Sequence, residues 1–200
     1  MIIRGTKAWL AIPALTGLML FSNLLSPAFA ATGKESVEKL VSIFKNWDAN
    51  SASAKVFADA AGYIDYSSMS EQALGAEQWG KLKPAERNDF TAALRKLVED
   101  RYYPRWHKLF SKGILTYGKE SAGHGDIILN TVLKVNKKSQ DVSWQLDTKG
   151  VQPRVISLKV DDKDLLNRLH KRIFPRLQKS GFKSLLSWLQ TKAGMENDSN

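Results

Sequence analysis

The hydrophobic period of this chain changes twice, and that constrains its fold more than any single residue does. Before Gly113 apolar side chains recur at helical spacing, as Val37, Leu40, Val41 and Phe44 do at i, i+3, i+4 and i+7. After Gly113 the period falls to two. Ile127, Leu129, Thr131, Leu133 and Val135 share one face of a strand, Val142, Trp144 and Leu146 one face of a second, and Ile156, Leu158 and Val160 one face of a third. From Leu165 the helical period returns, through Leu165, Leu166, Leu169, Ile173 and Leu177 and then Phe182, Leu185, Leu186 and Leu189. Helices, an antiparallel meander and helices again make an α+β plan: one bent antiparallel sheet wrapped by N- and C-terminal helices.

Punctuation residues refine the elements. A first helix is predicted to run to about Trp47, a second over 51–61 and a third over Glu71–Trp79, with 65–70 as a short connector that leaves room for a helical turn. Pro84 suits the first turn of a long helix whose stripe is Phe90, Leu94, Leu97, Val98 and Tyr102. Pro104 should end or kink it near Tyr103, with Trp106, Leu109 and Phe110 continuing the apolar face. An edge strand over 114–117 would precede a Gly-rich loop at 118–125, and 136–141 reads as a polar turn. Asp161 or Asp162 would cap the next helix, Pro175 would interrupt it, and Gly181 suits a C-terminal cap.

The amino terminus reads as an export signal. Arg4 and Lys7 precede the mostly apolar run 8–25, and Ala28-Phe29-Ala30 is a small-x-small cleavage pattern. Residues 1–30 are therefore expected to be removed after Ala30 in the periplasm, leaving a domain over 31–192 and a disordered tail over 193–200. The chain has no cysteine, so neither a disulfide nor a thiolate site contributes and the core alone must hold the fold. Arg4 and Lys7 account for two of the +10 net charge, leaving about +8 on the exported domain. An exported basic protein meets anionic headgroups or acidic partners; the signal argues against nucleic acid.

No catalytic constellation emerges. His107, His124 and His170 stand apart in sequence without ligand spacing, and no nucleophile elbow or zinc-protease motif is present. Asp161-Asp162-Lys163-Asp164 lacks the glycine and distant glutamate of a calcium loop, and helix capping accounts for its acids. No metal, no cofactor and no enzymatic activity are expected; a hydrolase using His107 or Asp65 is the enzyme alternative.

One block does carry a family pattern: Asp65-Tyr66, Leu74-Gly75, Trp79, Pro84-Ala85-Glu86-Arg87, Phe90, Leu94, Leu97 and Tyr102-Tyr103. It resembles the MlaC, or toluene-tolerance, family of periplasmic phospholipid-binding proteins. The likeness returns at Gly181, Leu185, Leu186 and Leu189, and weakens on the last strand, where the family's Trp and Asp are replaced within 154–160. It implies an apolar pocket between sheet and helices and a bound phospholipid as ligand. It also implies a soluble carrier between inner and outer membranes, the substrate-binding component of an ABC-type lipid transporter. Its partners would be an inner-membrane ABC-type lipid transport complex and an outer-membrane lipoprotein complex. On that resemblance the pocket wall would be Phe90, Leu94, Leu97 and Tyr102 from the long helix with Leu129, Leu133, Trp144 and Leu146 from the sheet, residues a filled core would use equally. A carrier of another apolar lipid such as a hopanoid, or a non-enzymatic periplasmic interaction protein, fits the same residues.

Overall fold

The structure, a computed structural model, describes residues 31–48, 53–123 and 126–194. The expected leader, His124 and residues 195–200 lie outside them.

Helix α1 (Gly33–Lys45) starts where Thr32 and Glu35 form a reciprocal capping box, and it buries Val37, Leu40, Val41 and Phe44. Helix α2 (Ser53–Ala61) follows. The helical turn allowed at 65–70 is the start of a full helix, α3 (Tyr66–Leu74), because the Asp65 carboxylate accepts the Ser68 amide at 3.0 Å and caps it. The expected single helix over Glu71–Trp79 is broken at Gly75, whose φ of 89° no helix accommodates; α4 (Ala76–Lys81) begins beyond it. Helix α5 (Pro84–Arg101) has its proline in the first turn and buries Phe90, Ala93, Leu94, Leu97 and Val98. Pro104 falls in the first turn of the separate helix α6 (Tyr103–Phe110), so the chain turns at Tyr102 as expected.

The sheet is a meander in the order β1-β2-β3-β4-β5, antiparallel throughout. Strand β1 (Ile114–Gly123) extends well past the edge strand expected over 114–117. Its register shifts between Tyr117 and Glu120, and a Cβ at Gly118 would lie 2.8 Å from the Asn130 carbonyl oxygen. That irregularity needs a glycine, and glycine there reads as loop in the sequence. Strands β2 (Asp126–Val135) and β3 (Lys138–Asp147) are joined tightly at Asn136, which takes φ 55°; the polar turn expected over 136–141 is therefore mostly strand. Strand β4 (Arg154–Val160) leads through Asp161 (φ 50°) to the short β5 (Lys163–Asp164).

The inner face of the sheet carries Leu129, Thr131, Leu133, Val142, Trp144, Leu146, Val155 and Leu158, all buried. A register shift between Gln145 and Leu146 sets Val155 opposite Leu146, so Val155 joins this face ahead of Ile156. Phe110 stacks on Trp144 at 5.5 Å between ring centroids, and the indole N–H donates to Thr131 Oγ1 at 3.0 Å. Helix α7 (Leu165–Gly194) closes the molecule; it continues through Pro175 and breaks at Gly181 (φ 74°, ψ 172°). Its cap is Asp164, not Asp161 or Asp162: Asp164 Oδ1 accepts the Asn167 amide at 2.6 Å. Ala193, at the start of the expected tail, is helical and buried. Among the described residues no helix is long and apolar enough to cross a membrane.

Candidate functional site

A concavity of about 700 Å³ lies on the outer, polar face of the sheet, against Thr116, Asn130, Val132, Asp141, Ser143 and Lys159. A smaller groove of about 240 Å³ lies on the opposite side, where α6, β4, β5 and the first turn of α7 converge. Its apolar surface comes from Tyr102, Trp106, Leu109, Leu158, Val160 and Leu165, with Arg105, Lys163 and Arg168 beside them. Trp106, Leu158 and Leu165 are buried, whereas the three cations are exposed. The groove thus has a dry floor and a charged rim, which suits one apolar and one anionic end of the same ligand. The larger concavity carries both signs of charge, Lys159 against Asp141, Asp161 and Asp162.

Local sequence rules place each groove residue. Tyr102, Arg105, Trp106 and Leu109 fall at i, i+3, i+4 and i+7, so one face of α6 presents them together once Pro104 has turned the chain. Leu158 and Val160 alternate onto one side of β4. Asp161 then reverses the chain, its carboxylate accepting from the Asp141 amide and the Gln140 side chain at 3.2 Å each. That reversal brings Lys163 beside Val160. The Asp164 cap starts α7 so that Leu165 and Arg168, one turn apart, close the groove. The Arg105 guanidinium lies 5.8 Å over the Tyr102 ring.

Of the residues expected to wall a pocket, Tyr102 lines this groove. Phe90, Leu94, Leu97, Leu129, Leu133, Trp144 and Leu146 are buried in the continuous core. Periodicity could not separate these places, since a cavity wall and a packed core demand the same apolar alternation. Arg105, Lys163 and Arg168 escaped sequence reasoning because two distant segments, α6 and the β5–α7 junction, bring them together.

The residues that carried the family pattern hold the scaffold. Asp65 caps α3 and pairs with Arg154 at 2.6 Å while almost fully buried. Tyr66 and Tyr103 share a hydrogen bond between their hydroxyls, and burial pushes both phenols well above the ordinary tyrosine range. They stay neutral and act as a buried polar link. Arg87 donates to the Trp79 carbonyl at 3.0 Å and lies over the Trp79 ring. His107 Nδ1 donates to the Phe44 carbonyl at 2.7 Å, and His170 Nδ1 to that of Ala73 at 3.1 Å, so both imidazoles serve packing. Among the described residues, no group of three His, Asp or Glu side chains could hold a metal ion.

The profile of the MlaC protein family matches residues 34–191. The chain belongs to the MlaC family. A search of curated proteins returned no match. Among solved structures, the fold is similar to that of the phospholipid-binding protein from Ralstonia solanacearum in complex with a phospholipid. The TM-score is 0.68 at 14% identity, over 80% of this chain and 93% of that one. Two chains so different in sequence share the MlaC-family architecture, a meander with helices packed on its inner face.

Proposed function

We propose that this MlaC-family chain is a soluble periplasmic carrier that encloses the acyl chains of a phospholipid between sheet and helices, leaving the headgroup at the rim. The observation that carries the reading is the groove between α6, β4 and α7, with its apolar floor and with Arg105, Lys163 and Arg168 at the mouth. Family membership and the phospholipid held by the Ralstonia solanacearum protein support it.

Energetics make enclosure necessary. Each methylene left in water costs about 0.8 kcal/mol, so a diacyl lipid with roughly thirty of them faces a cost on the order of 20 kcal/mol in water. At about 240 Å³ the groove is smaller than the roughly 300–1,000 Å³ of ordinary small-molecule sites, so two tails enter only if helices draw back from the sheet. The route inward follows the register: Leu158 in the groove pairs with Trp144, which pairs with Leu129. Withdrawal of α6 and the start of α7 from β4 therefore turns core residues into pocket wall, and Leu129, Leu133, Trp144 and Leu146 become acyl contacts. The cationic rim favours a phosphate-bearing lipid over a neutral one such as a hopanoid.

In this reading the protein is exported, processed after Ala30 and works without a cofactor or catalysis. It serves an ABC-type transporter, meeting an inner-membrane transport complex and an outer-membrane lipoprotein complex by direct contact. Protein purified without detergent should carry phospholipid, seen by native mass spectrometry and by chromatography of an organic extract. A protein that is lipid-free and also takes up no phospholipid from vesicles refutes the carrier; an extract holding only a neutral lipid refutes the phospholipid.

A further inference from the structure

The basic residues of this molecule are distributed unevenly in their partners. On the earlier helices several are neutralised one turn away, as Lys55 is by Asp59, Lys81 by Glu77, Arg95 by Glu99 and Lys96 by Asp100. Helix α7 has no such arrangement: residues 165–194 contain neither Asp nor Glu. Arg168, Lys171, Arg172, Arg176 and Lys179 are all exposed. Among the described residues, no carboxylate forms a salt bridge with any of them.

Their spacing gathers them. At about 100° per residue these five side chains fall within about 140° of the helix circumference, beside the strip that buries Leu166, Leu169 and Ile173. From Arg168 to Lys179 the stripe runs about 16 Å, longer than the Debye length of roughly 10 Å at 0.1 M salt, so its charges act as a field and not as one point. Like charges at this density repel one another, and no acidic residue on the helix relieves them. Arg168 also stands at the rim of the apolar groove, so whatever covers the stripe is brought to the groove's mouth.

We infer that the 168–179 face of α7 is a docking surface for an anionic lipid bilayer, which it holds against the mouth of the groove. The occupant is a bilayer surface because the stripe is long and of one sign, and the aromatic ring beside it, Trp188, lies under the Arg176 guanidinium at 4.4 Å. Flexible lysines and arginines suit a fluid array of phosphates without fixed register. The inference takes its purpose from the carrier reading, but docking needs no cargo and is measured apart from it.

The test is sedimentation of the purified protein with vesicles of phosphatidylcholine alone or mixed with phosphatidylglycerol. The expected result is binding to the mixed vesicles only, weakened as salt shortens the Debye length from about 10 Å to about 3 Å. Each lysine or arginine near an anionic surface is worth about a fivefold change in affinity, so the triple variant Lys171→Gln, Arg172→Gln, Lys179→Gln should bind about a hundredfold more weakly. The charge-keeping variant Lys171→Arg, Lys179→Arg should bind as the parent does, and all should share one circular dichroism melt. Equal binding of the triple variant overturns the inference, as does a parent protein indifferent to phosphatidylglycerol; the latter would assign the stripe to an acidic protein. Docking that persists in a protein that yields no phospholipid on extraction and takes up none from vesicles would refute the carrier and leave the docking surface standing.

Discussion

Truncating Leu94 and Leu109 separately distinguishes packed core from groove wall. Leu94 is fully buried on the face of α5 that helps fill the core, so Leu94→Ala leaves a void that neighbours close only in part. Such a change costs about 2–5 kcal/mol. For a domain of this size each kcal/mol lowers Tm by roughly 2–4 °C, so the melt should fall by about 4–20 °C. Leu109 is half-buried and already borders the groove, so Leu109→Ala widens a space open to solvent. Its cost should be near 1 kcal/mol, or about 2–4 °C, because little new enclosed cavity is made. Both melts must be taken on delipidated protein, since a ligand bound only to the native state raises Tm by mass action. Lipid uptake from vesicles is then measured on each variant, and Leu109→Ala should alter it more per degree lost. The reasoning is refuted if Leu94→Ala melts within about 2 °C of the parent while losing lipid uptake, or if Leu109→Ala is the less stable of the two.

Other consequences follow from single contacts. Arg154→Ala leaves the Asp65 carboxylate buried without its partner; because Arg154 is 38% exposed, the loss in urea denaturation should be about 2 kcal/mol, short of the roughly 3–5 of a fully buried pair. Burial alone would raise the Asp147 carboxyl, but the Lys149 amide, the Ser68 hydroxyl and the Lys149 ammonium together hold it below the ordinary range. A depressed carboxyl stabilises fully above the unfolded value of about 3.9 and loses that contribution as pH falls through its folded value. Melts should therefore be flat above about pH 5 and fall below about pH 4, less steeply in Asp147→Asn. Gly181→Ala meets no neighbour within 4 Å, yet φ 74° with ψ 172° is a region only glycine occupies comfortably. It should cost about 1–3 kcal/mol in thermal melts.

How much of this was legible in the sequence depends on the range of the interaction. The helix-strand-helix order, the break near Tyr103 and the alternation through Leu129 and Trp144 follow from local period and proline chemistry, and the structure has them. Elements whose ends are set by one side chain or one contact went astray. The connector at 65–70 became the start of a full helix because the Asp65 carboxylate reached the Ser68 amide, and the loop after Tyr117 became strand because Gly118 let β1 approach Asn130. On β4, alternation alone points Ile156 inward, but a one-residue slip in the pairing with β3 places Val155 there. A slip of this kind leaves no mark on hydrophobic period, since both residues are apolar.

The site obeys a different logic from the motif that names the family. Asp65, Tyr66, Gly75, Trp79, Arg87 and Tyr103 are each occupied by a cap, an ion pair, a buried hydrogen bond or a turn, so their spacing reports on the scaffold. The groove takes its floor from residues 102–109, 158–160 and 165 and its cations from Arg105, Lys163 and Arg168. Each of these segments follows its own local period, but no local pattern joins one segment to the others. Arg105, Lys163 and Arg168 are exposed, where substitutions usually shift stability by about 0.5 kcal/mol or less, so they can vary while the motif stays intact. Family membership thus constrains how this chain folds more tightly than what it holds. A change of headgroup preference would be sought at these three cations, with the Asp65–Arg154 pair and the Tyr66–Tyr103 link left as they are.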